Sequence, residues 1–270
     1  MPWRLLKQSR NPIYPIIAAR TVQASVVGWL VHWPLHWPLT GPHALGLFLT
    51  PALCVYFVFV FVGTLTWGLP ILTRLPGTES RIALTFDDGP SEETTPQVLD
   101  ILRAEGAHAT FFVLGEAVTR HPNILRRIAA EGHSIGIHAY RHQPFVLLDS
   151  KTIRAEIAQT EAAIRRACPG ARVVPWVRPP HGFKSLTLVW TLRRAGYGLA
   201  AWSVDSRDYR ASSPQQIAAQ VTAKPQAGSI VLLHDGPANA ATAEALRPIL
   251  RGLAERGFLT VTLQNGVLSS

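Results

Sequence analysis

Between Thr21 and Thr73 the chain contains no Asp, Glu, Lys or Arg, and ordinary charge density resumes only at Glu79. A soluble domain rarely goes so long without a charge, so this break sets a membrane region apart from a water-facing one. Cysteine is scarce: Cys54 lies inside the uncharged stretch and Cys168 far beyond it, which excludes a disulfide-built scaffold and leaves the redox compartment open. There is no run of Lys or Arg and no basic helix interleaved with aromatics, so the net charge of +9 does not point to nucleic acid. Arg4, Lys7, Arg10, Arg20 and Arg74 precede the first acidic residue and supply most of that excess, which suits an N-terminus lying near anionic lipid. No Gly-rich phosphate loop follows the first strand candidate, which removes the main support for a nucleotide-binding sheet. No compact apolar run ending in small residues follows the basic start, so the pattern of a cleavable signal peptide is missing too.

What is present begins with Ala44 to Trp67, an uncharged apolar run long enough to cross a hydrocarbon core of roughly 30 Å at about 1.5 Å per residue. We read it as a transmembrane helix. A second stretch, Thr21 to Leu39, is interrupted by Gln23, His32, Pro34, His36 and Pro38, and its Trp29, Trp33 and Trp37 suit an interfacial position; it either spans or lies in the interface. The basic N-terminus belongs in the cytoplasm, so one span places the remainder of the chain outside and two spans return it to the cytoplasmic face. The interruptions favour one span and an external placement. The organisation expected is a membrane region over 1–73, a linker over 74–80 and a catalytic domain over 81–270, with oligomeric state open. The short connection between Trp67 and Arg81 restricts that domain to substrates near the bilayer.

From Arg81 onward, β-rich runs alternate with amphipathic helical runs, the pattern of βα units in a parallel sheet. Strands are expected at Ile82–Phe86, Ala109–Val113, Ser134–His138, Val174–Arg178, Leu199–Ser203, Ile230–Leu233 and Leu259–Thr262. Helices are expected near Thr95–Glu105, Pro122–Glu131, Lys151–Ala167, Ser185–Ala195, Pro214–Thr222 and Thr242–Arg256, with Asp149 or Ser150 capping the third. The fold class is α/β, a distorted seven-stranded (β/α) barrel. Polar residues cluster at the carboxyl ends of the strands, which in a parallel barrel converge on the face that carries its chemistry.

The first cluster is Thr85-Phe86-Asp87-Asp88-Gly89-Pro90, where two adjacent carboxylates leave a strand at a turn and a bound cation would let both stay ionised. The second is His138-Ala139-Tyr140-Arg141-His142, whose spacing of four puts both imidazoles on one face of a helical turn. With Asp88 these histidines make two imidazoles and one carboxylate, a catalytic zinc set that leaves positions open for water and substrate and that also suits iron(II). Arg178-Pro179-Pro180-His181-Gly182 is a rigid turn whose cation can hold Asp87. Asp205-Ser206-Arg207-Asp208-Tyr209 supplies acids able to orient a histidine, and Leu232-Leu233-His234-Asp235 ends an apolar strand with an imidazole. Each alone also fits an ordinary loop, but five in order, one per strand end, make coincidence a poor account.

From Arg81 to about Leu263 the chain resembles the polysaccharide deacetylases, carbohydrate esterase family 4 with the NodB-homology fold. The family's five motifs have counterparts at Thr85 to Gly89, His138 to His142, Arg178 to Gly182, Asp205 to Tyr209 and Leu232 to His234. The resemblance implies Asp87 as general base, His234 as general acid, and Asp88, His138 and His142 as ligands of one divalent ion, zinc or a similar metal. It implies further that Arg178 tethers Asp87, that Asp208, or in the alternative Asp205, orients His234, and that a backbone N–H at His181 stabilises the oxyanion. His181 stands where the family has Tyr and Tyr209 where it has Trp, so Tyr209 alters a groove wall. Leu232 would line an apolar pocket for a short acyl group, acetyl before formyl. The reading is hydrolysis of N-acyl groups from the amino sugars of a glycan. One alternative is deacylation of a polyprenyl-phosphate-linked amino sugar at the membrane; another, of a different class, is an inactive membrane-anchored glycan-binding module.

Overall fold

The computed structural model describes residues 53–54, 71–77, 79–210 and 212–263. The chain divides into two compact units, Met1–Leu69 and Pro70–Ser270, and every strand and helix below belongs to the second. The expected spans over 21–39 and, apart from residues 53–54, over 44–67 lie outside the described residues. Among the described residues no helix is long and apolar enough to cross a membrane.

Among the described residues nine strands form one parallel sheet: β1 (Ile71–Leu72), β2 (Arg81–Asp87), β3 (Thr110–Leu114), β4 (Ser134–Ala139), β5 (Val173–Val177), β6 (Gly198–Ala200), β7 (Val204–Asp205), β8 (Ile230–His234) and β9 (Leu259–Thr260). Their spatial order is β1-β6-β5-β4-β3-β2-β8-β7, with β9 paired to the start of β2. The sheet curls toward closure, because Leu75 donates to Gly228 O (2.7 Å) and Arg74 bridges to Ser229, joining the β1 edge to the segment that enters β8. This is the distorted (β/α) barrel expected, with two corrections to the seven strands. Ile71 and Leu72, assigned from the charge break to the N-terminal region, form a strand against Leu199 and Ala200. The single strand expected over Leu199–Ser203 is two short ones, β6 against β1 and β7 against β8, because the chain changes partner between Ala201, which donates to Leu72 O, and Ser203, which donates to Ile230 O.

Helices α1 (Thr95–Ala104), α2 (Gly115–Arg120), α3 (Pro122–Ala130), α4 (Ser150–Ala167), α5 (Leu186–Arg194), α6 (Pro214–Ala223) and α7 (Ala240–Glu255) pack around the sheet. Their buried faces follow the helical period: in α4 they are Ile153, Glu156, Ile157, Thr160, Ala163, Ile164 and Ala167, spaced three and four apart. Of the two caps considered for α4, Asp149 is the one used; its carboxylate accepts from the Thr152 N–H at 2.7 Å. Helix α2 was not expected; only a short segment separates it from α3.

Inside the sheet, alternation along each strand decides what the interior holds. Ala83, Phe112, Val174, Trp176, Ala200 and Ile230 pack together at the base with Leu72, Leu75 and Leu263. Moving up the same faces by twos brings Thr85 and Asp87 on β2, His138 above Gly136 on β4, Arg178 just past β5, and Leu232 and His234 on β8. The interior is apolar below and ionisable above, so folding the barrel core is what assembles the polar end. Gly136 is required by this packing, since a Cβ there would lie 2.5 Å from the Phe112 ring. That ring in turn supports the Arg178 guanidinium, 4.2 Å from its centroid. Gly136→Ala should therefore cost about 1–3 kcal/mol of stability as an overpacked core does; a thermal midpoint equal to wild type would show that Phe112 can move aside freely.

Candidate active site

The carboxyl end of β2 turns at Asp88, whose φ of 75° lies in the left-handed region. This swing brings Asp88 into the interior beside Asp87, where a continuing strand would have sent the two to opposite faces. Behind the turn, Gly89 leaves no room for a side chain: a Cβ would lie 2.3 Å from a carboxylate oxygen of the buried Asp235. Asp235 accepts from Thr95 Oγ1 (2.6 Å), and burial pushes its carboxyl up to about 7, with the Thr95 bond opposing. Ser91 and Thr94 donate to the carbonyls of Asp235 and Gly236 at 2.8 and 2.9 Å, so the loops after β2 and β8 are tied together.

Asp87 is 3% exposed and Arg178 0%. Arg178 Nη1 donates to Asp87 Oδ1 at 2.8 Å and to Thr85 Oγ1 at 2.7 Å, and Nη2 donates to Ala201 O at 3.1 Å. Burial draws the guanidinium below its ordinary range while the Asp87 charge opposes that, and an arginine so placed remains the fixed cation beside the carboxylate. The carbonyl of Arg178 has its own task. It accepts from His138 Nδ1 at 2.7 Å, which fixes the proton on Nδ1 and turns the Nε2 lone pair toward Asp88.

Asp88, His138 and His142 offer one ligand atom each, all within 4.8 Å of one another. Asp88 Oδ1 lies 3.2 Å from Nε2 of both histidines, yet it is buried and receives no hydrogen bond. Burial pushes the Asp88 carboxyl up, but the hydrogen-bonding reach and charge of His138, with His142 and His234, pull it well below the carboxylate range. Burial also draws His138 down, and the Asp87 and Asp88 charges reverse this and raise it. His142 is lowered, chiefly by burial, with Asp88 opposing and His138 and His181 adding to the fall. Electron-pair donors thus converge on one point with an orphaned carboxylate oxygen among them. The set fits a divalent cation.

One expectation about this triad is corrected. His138 and His142 do not share a helical turn: His138 belongs to β4, which runs to Ala139, and His142 follows a bend at Tyr140 and Arg141. The bend is held by Glu156 on α4, whose Oε2 accepts from the Tyr140 and Arg141 N–H groups at 2.9 and 2.7 Å.

On the other side of Asp87, His234 is its register partner across β2 and β8. Its Nδ1 lies 2.7 Å from Asp208 Oδ1, its backbone N–H donates to Asp208 Oδ2 at 2.8 Å, and Thr242 Oγ1 donates to the same Oδ2 at 2.7 Å. Burial would lower the imidazole, but the Asp208 bond and charge, with those of Asp87 and Asp88, push it up to about 9. Asp205 does not take part. It accepts from the Arg207 N–H (2.9 Å) and the Tyr209 hydroxyl (3.2 Å), so of the two acids weighed it is Asp208 that touches His234. Tyr209 is exposed with its ring edge-on to His234, centroids 5.7 Å apart. Leu232 is buried one inward position below His234. His181, at φ 61°, stacks edge-on against His142 with centroids 4.7 Å apart, and the adjacent Gly182 leaves space for the Trp202 ring.

Residues the sequence did not single out are Thr85, Glu156, Thr242 and Asp235. For Glu156 and Thr242 a signal existed, a polar residue within a buried helical stripe; Thr85 and Asp235 sat inside motifs whose other members drew the attention.

A family model described as polysaccharide deacetylase matches residues 74–200. A chitooligosaccharide deacetylase of Sinorhizobium fredii is 36% identical over 193 residues, covering 67% of this chain and 89% of the relative. A peptidoglycan-N-acetylglucosamine deacetylase of Bacillus cereus is 36% identical over 191 residues, covering 70% and 68%. Among solved structures, a peptidoglycan N-acetylglucosamine deacetylase in complex with 4-naphthalen-1-yl-N-oxidanyl-benzamide superposes with a TM-score of 0.71 at 33% identity, covering 75% of this chain and 94% of that one. A shared barrel and a shared sequence over nearly the whole of one relative place this chain in the polysaccharide deacetylase family, hydrolases of the amide bonds of acetylated sugars.

Proposed function

We propose that the chain uses a divalent ion, zinc in the first instance, to hydrolyse N-acetyl groups from N-acetylglucosamine units of a glycan, with Asp87 as base and His234 as acid. The observation that carries this is the pairing of Asp87 and His234 as register partners beside the metal-ready triad, each with its own positioning residue, Arg178 and Asp208. The substrate class is supported by the two relatives' names, which share the acetamido sugar. The solved relative is in complex with an N-hydroxy amide, a group able to chelate a metal, which supports a metal-dependent reading.

A divalent ion on Asp88, His138 and His142 would supply Lewis-acid polarisation of the amide carbonyl and make a nearby water more acidic. The chain's own residues do the rest. Asp87, aimed by Arg178, takes the proton of the water that attacks the amide carbon. The backbone N–H at His181 is the donor we assign to the growing oxyanion. His234, protonated because Asp208 holds it so, gives its proton to the departing amine nitrogen, and Leu232 lines the apolar space for the acyl methyl. The exposed Tyr209 ring forms part of the sugar groove.

We place the barrel at a membrane, on its outer face, from the uncharged stretch and basic N-terminus. On that side the substrate is wall or matrix glycan; on the other it would be a lipid-linked precursor.

Full-length protein should bind about one divalent ion per chain. Asp88→Ala and His138→Ala should lose it, whereas Asp87→Asn should keep the metal and lose turnover on chito-oligosaccharide by roughly 100-fold or more; metal retained in the first pair, or wild-type rates in the third, would remove those roles. His234→Ala should slow amides far more than activated aryl esters, whose leaving groups need no proton. Because the folded pKa of His234 is raised, its acid form persists to about 9, and activity should decline as pH rises through that value. A bound cation that neutralises Asp88 moves this limb lower, and Asp208→Asn should move it lower still; an unshifted limb in Asp208→Asn speaks against His234 as the acid. Finally, an enzyme reporter active only outside, fused at Ser270, should give signal, and a fluorophore active only inside should not; the reverse result would reverse the placement and bring the lipid-linked sugar forward.

A further inference from the structure

A strand that continued straight from His138 would carry residue 142 about 13 Å away at ~3.3 Å per residue. The two imidazole centroids are instead 5.3 Å apart. The chain bends at Tyr140 and Arg141, and the sequence there offers no Gly or Pro to make it do so. What turns it is external. The consecutive N–H groups of Tyr140 and Arg141 point the same way and converge on a single oxygen, Glu156 Oε2, the arrangement by which successive amides cradle an anion. From the other side Glu116 N–H donates to Tyr140 O at 3.1 Å, and Gln143 N–H closes the bend onto Arg141 O at 2.7 Å. The Tyr140 ring lies over Gly115, where a Cβ would come within 2.4 Å of it.

Glu156 is buried in the otherwise apolar and small-residue stripe of α4. A carboxylate there is costly unless its charge is answered by hydrogen bonds. Among the described residues it has no Lys, Arg or His within salt-bridge distance, so the two amides of the bend are its partners. His142 itself is half-exposed, and the ring contacts recorded for it are His138 and His181. Its position follows from the course of its backbone, and Glu156 is the side chain that accepts both N–H groups of the bend preceding it.

We propose that Glu156 is a positioning residue of the metal centre: through the bend at Tyr140 and Arg141 it holds His142 where it can close the triad with Asp88 and His138. This rests on the metal reading above and assigns a helix residue outside the five motifs to the affinity of the site. Outer partners that orient a ligand typically change metal affinity by about 10–100-fold when removed.

The test is zinc affinity of the full-length protein, read by competition with a chromophoric chelator, with thermal unfolding of each variant alongside. Glu156→Ala, which removes the acceptor, and Glu156→Asp, which keeps the charge but withdraws it by one methylene, should weaken zinc binding by about 10-fold or more. Glu156→Gln, which keeps an oxygen at the same reach, should stay nearer to wild type than either. In a His142→Ala background Glu156→Asp should add no further loss, because its route to the metal has gone. Wild-type affinity in the Asp and Ala variants would overturn the proposal while leaving the metal reading intact. So would an equal loss with and without His142, which marks a general structural fault. No zinc binding by the wild-type chain would overturn both together.

Discussion

The site depends on one buried cation. Removing a guanidinium from water costs several kcal/mol unless its hydrogen bonds and charge are answered; at Arg178 both Nη groups are answered, by Thr85 and Asp87 on β2 and by the Ala201 carbonyl after β6, the Phe112 ring of β3 lies against it, Nε is buried without a hydrogen bond, and the residue's own carbonyl accepts from His138 on β4. These contacts orient the proposed base and fix the tautomer of a proposed metal ligand in the same stroke. They also decide a feature of the fold. Ala201 lies between β6 and β7, and its carbonyl turns to Arg178 at the place where the chain leaves one partner strand for another. Chemistry and topology meet at a single residue.

Three histidines at this end show how neighbours set proton state. His138 gives Nδ1–H to a carbonyl and so presents a lone pair; His142, partly buried beside two other imidazoles, is drawn down; His234, against the Asp208 carboxylate, is pushed up to about 9. The same side chain is thereby suited to metal ligation on one flank and to proton donation on the other, the kind of separation by environment that acid–base sites rely on. Asp88 and Asp235 repeat the lesson for carboxyls, the first pulled down by histidines and the second lifted by burial.

Much of this was legible in the sequence because the βα period is strong and the polar residues fall at its strand ends. The pairing of Asp208, and not Asp205, with His234 needed structure, since both lie in one loop and only the bond to His234 N–H and the hydroxyl of Thr242 separate them. The helical reading of His138 and His142 failed because spacing alone cannot distinguish a helical turn from a strand followed by a bend, and the group that makes the bend lies on α4. Strand β1 was hidden for a different reason: Ile71 and Leu72 continue an apolar run, so no contrast marked where the barrel begins. Apart from residues 53–54 and 71–73, the uncharged stretch lies outside the described residues.

The place of β1 has a mechanical consequence. It is parallel to β6 and joined to it over only two residues. A pull on the chain from the N-terminal side would run along the strand and load those bonds in shear, all at once, instead of opening them one by one. The next attachment in line is Leu75 to Gly228, near the amino end of β8. Tension entering the barrel therefore falls first on its base, at the opposite end from Asp88, His138 and His142, and this short seam would yield before the catalytic rim was strained.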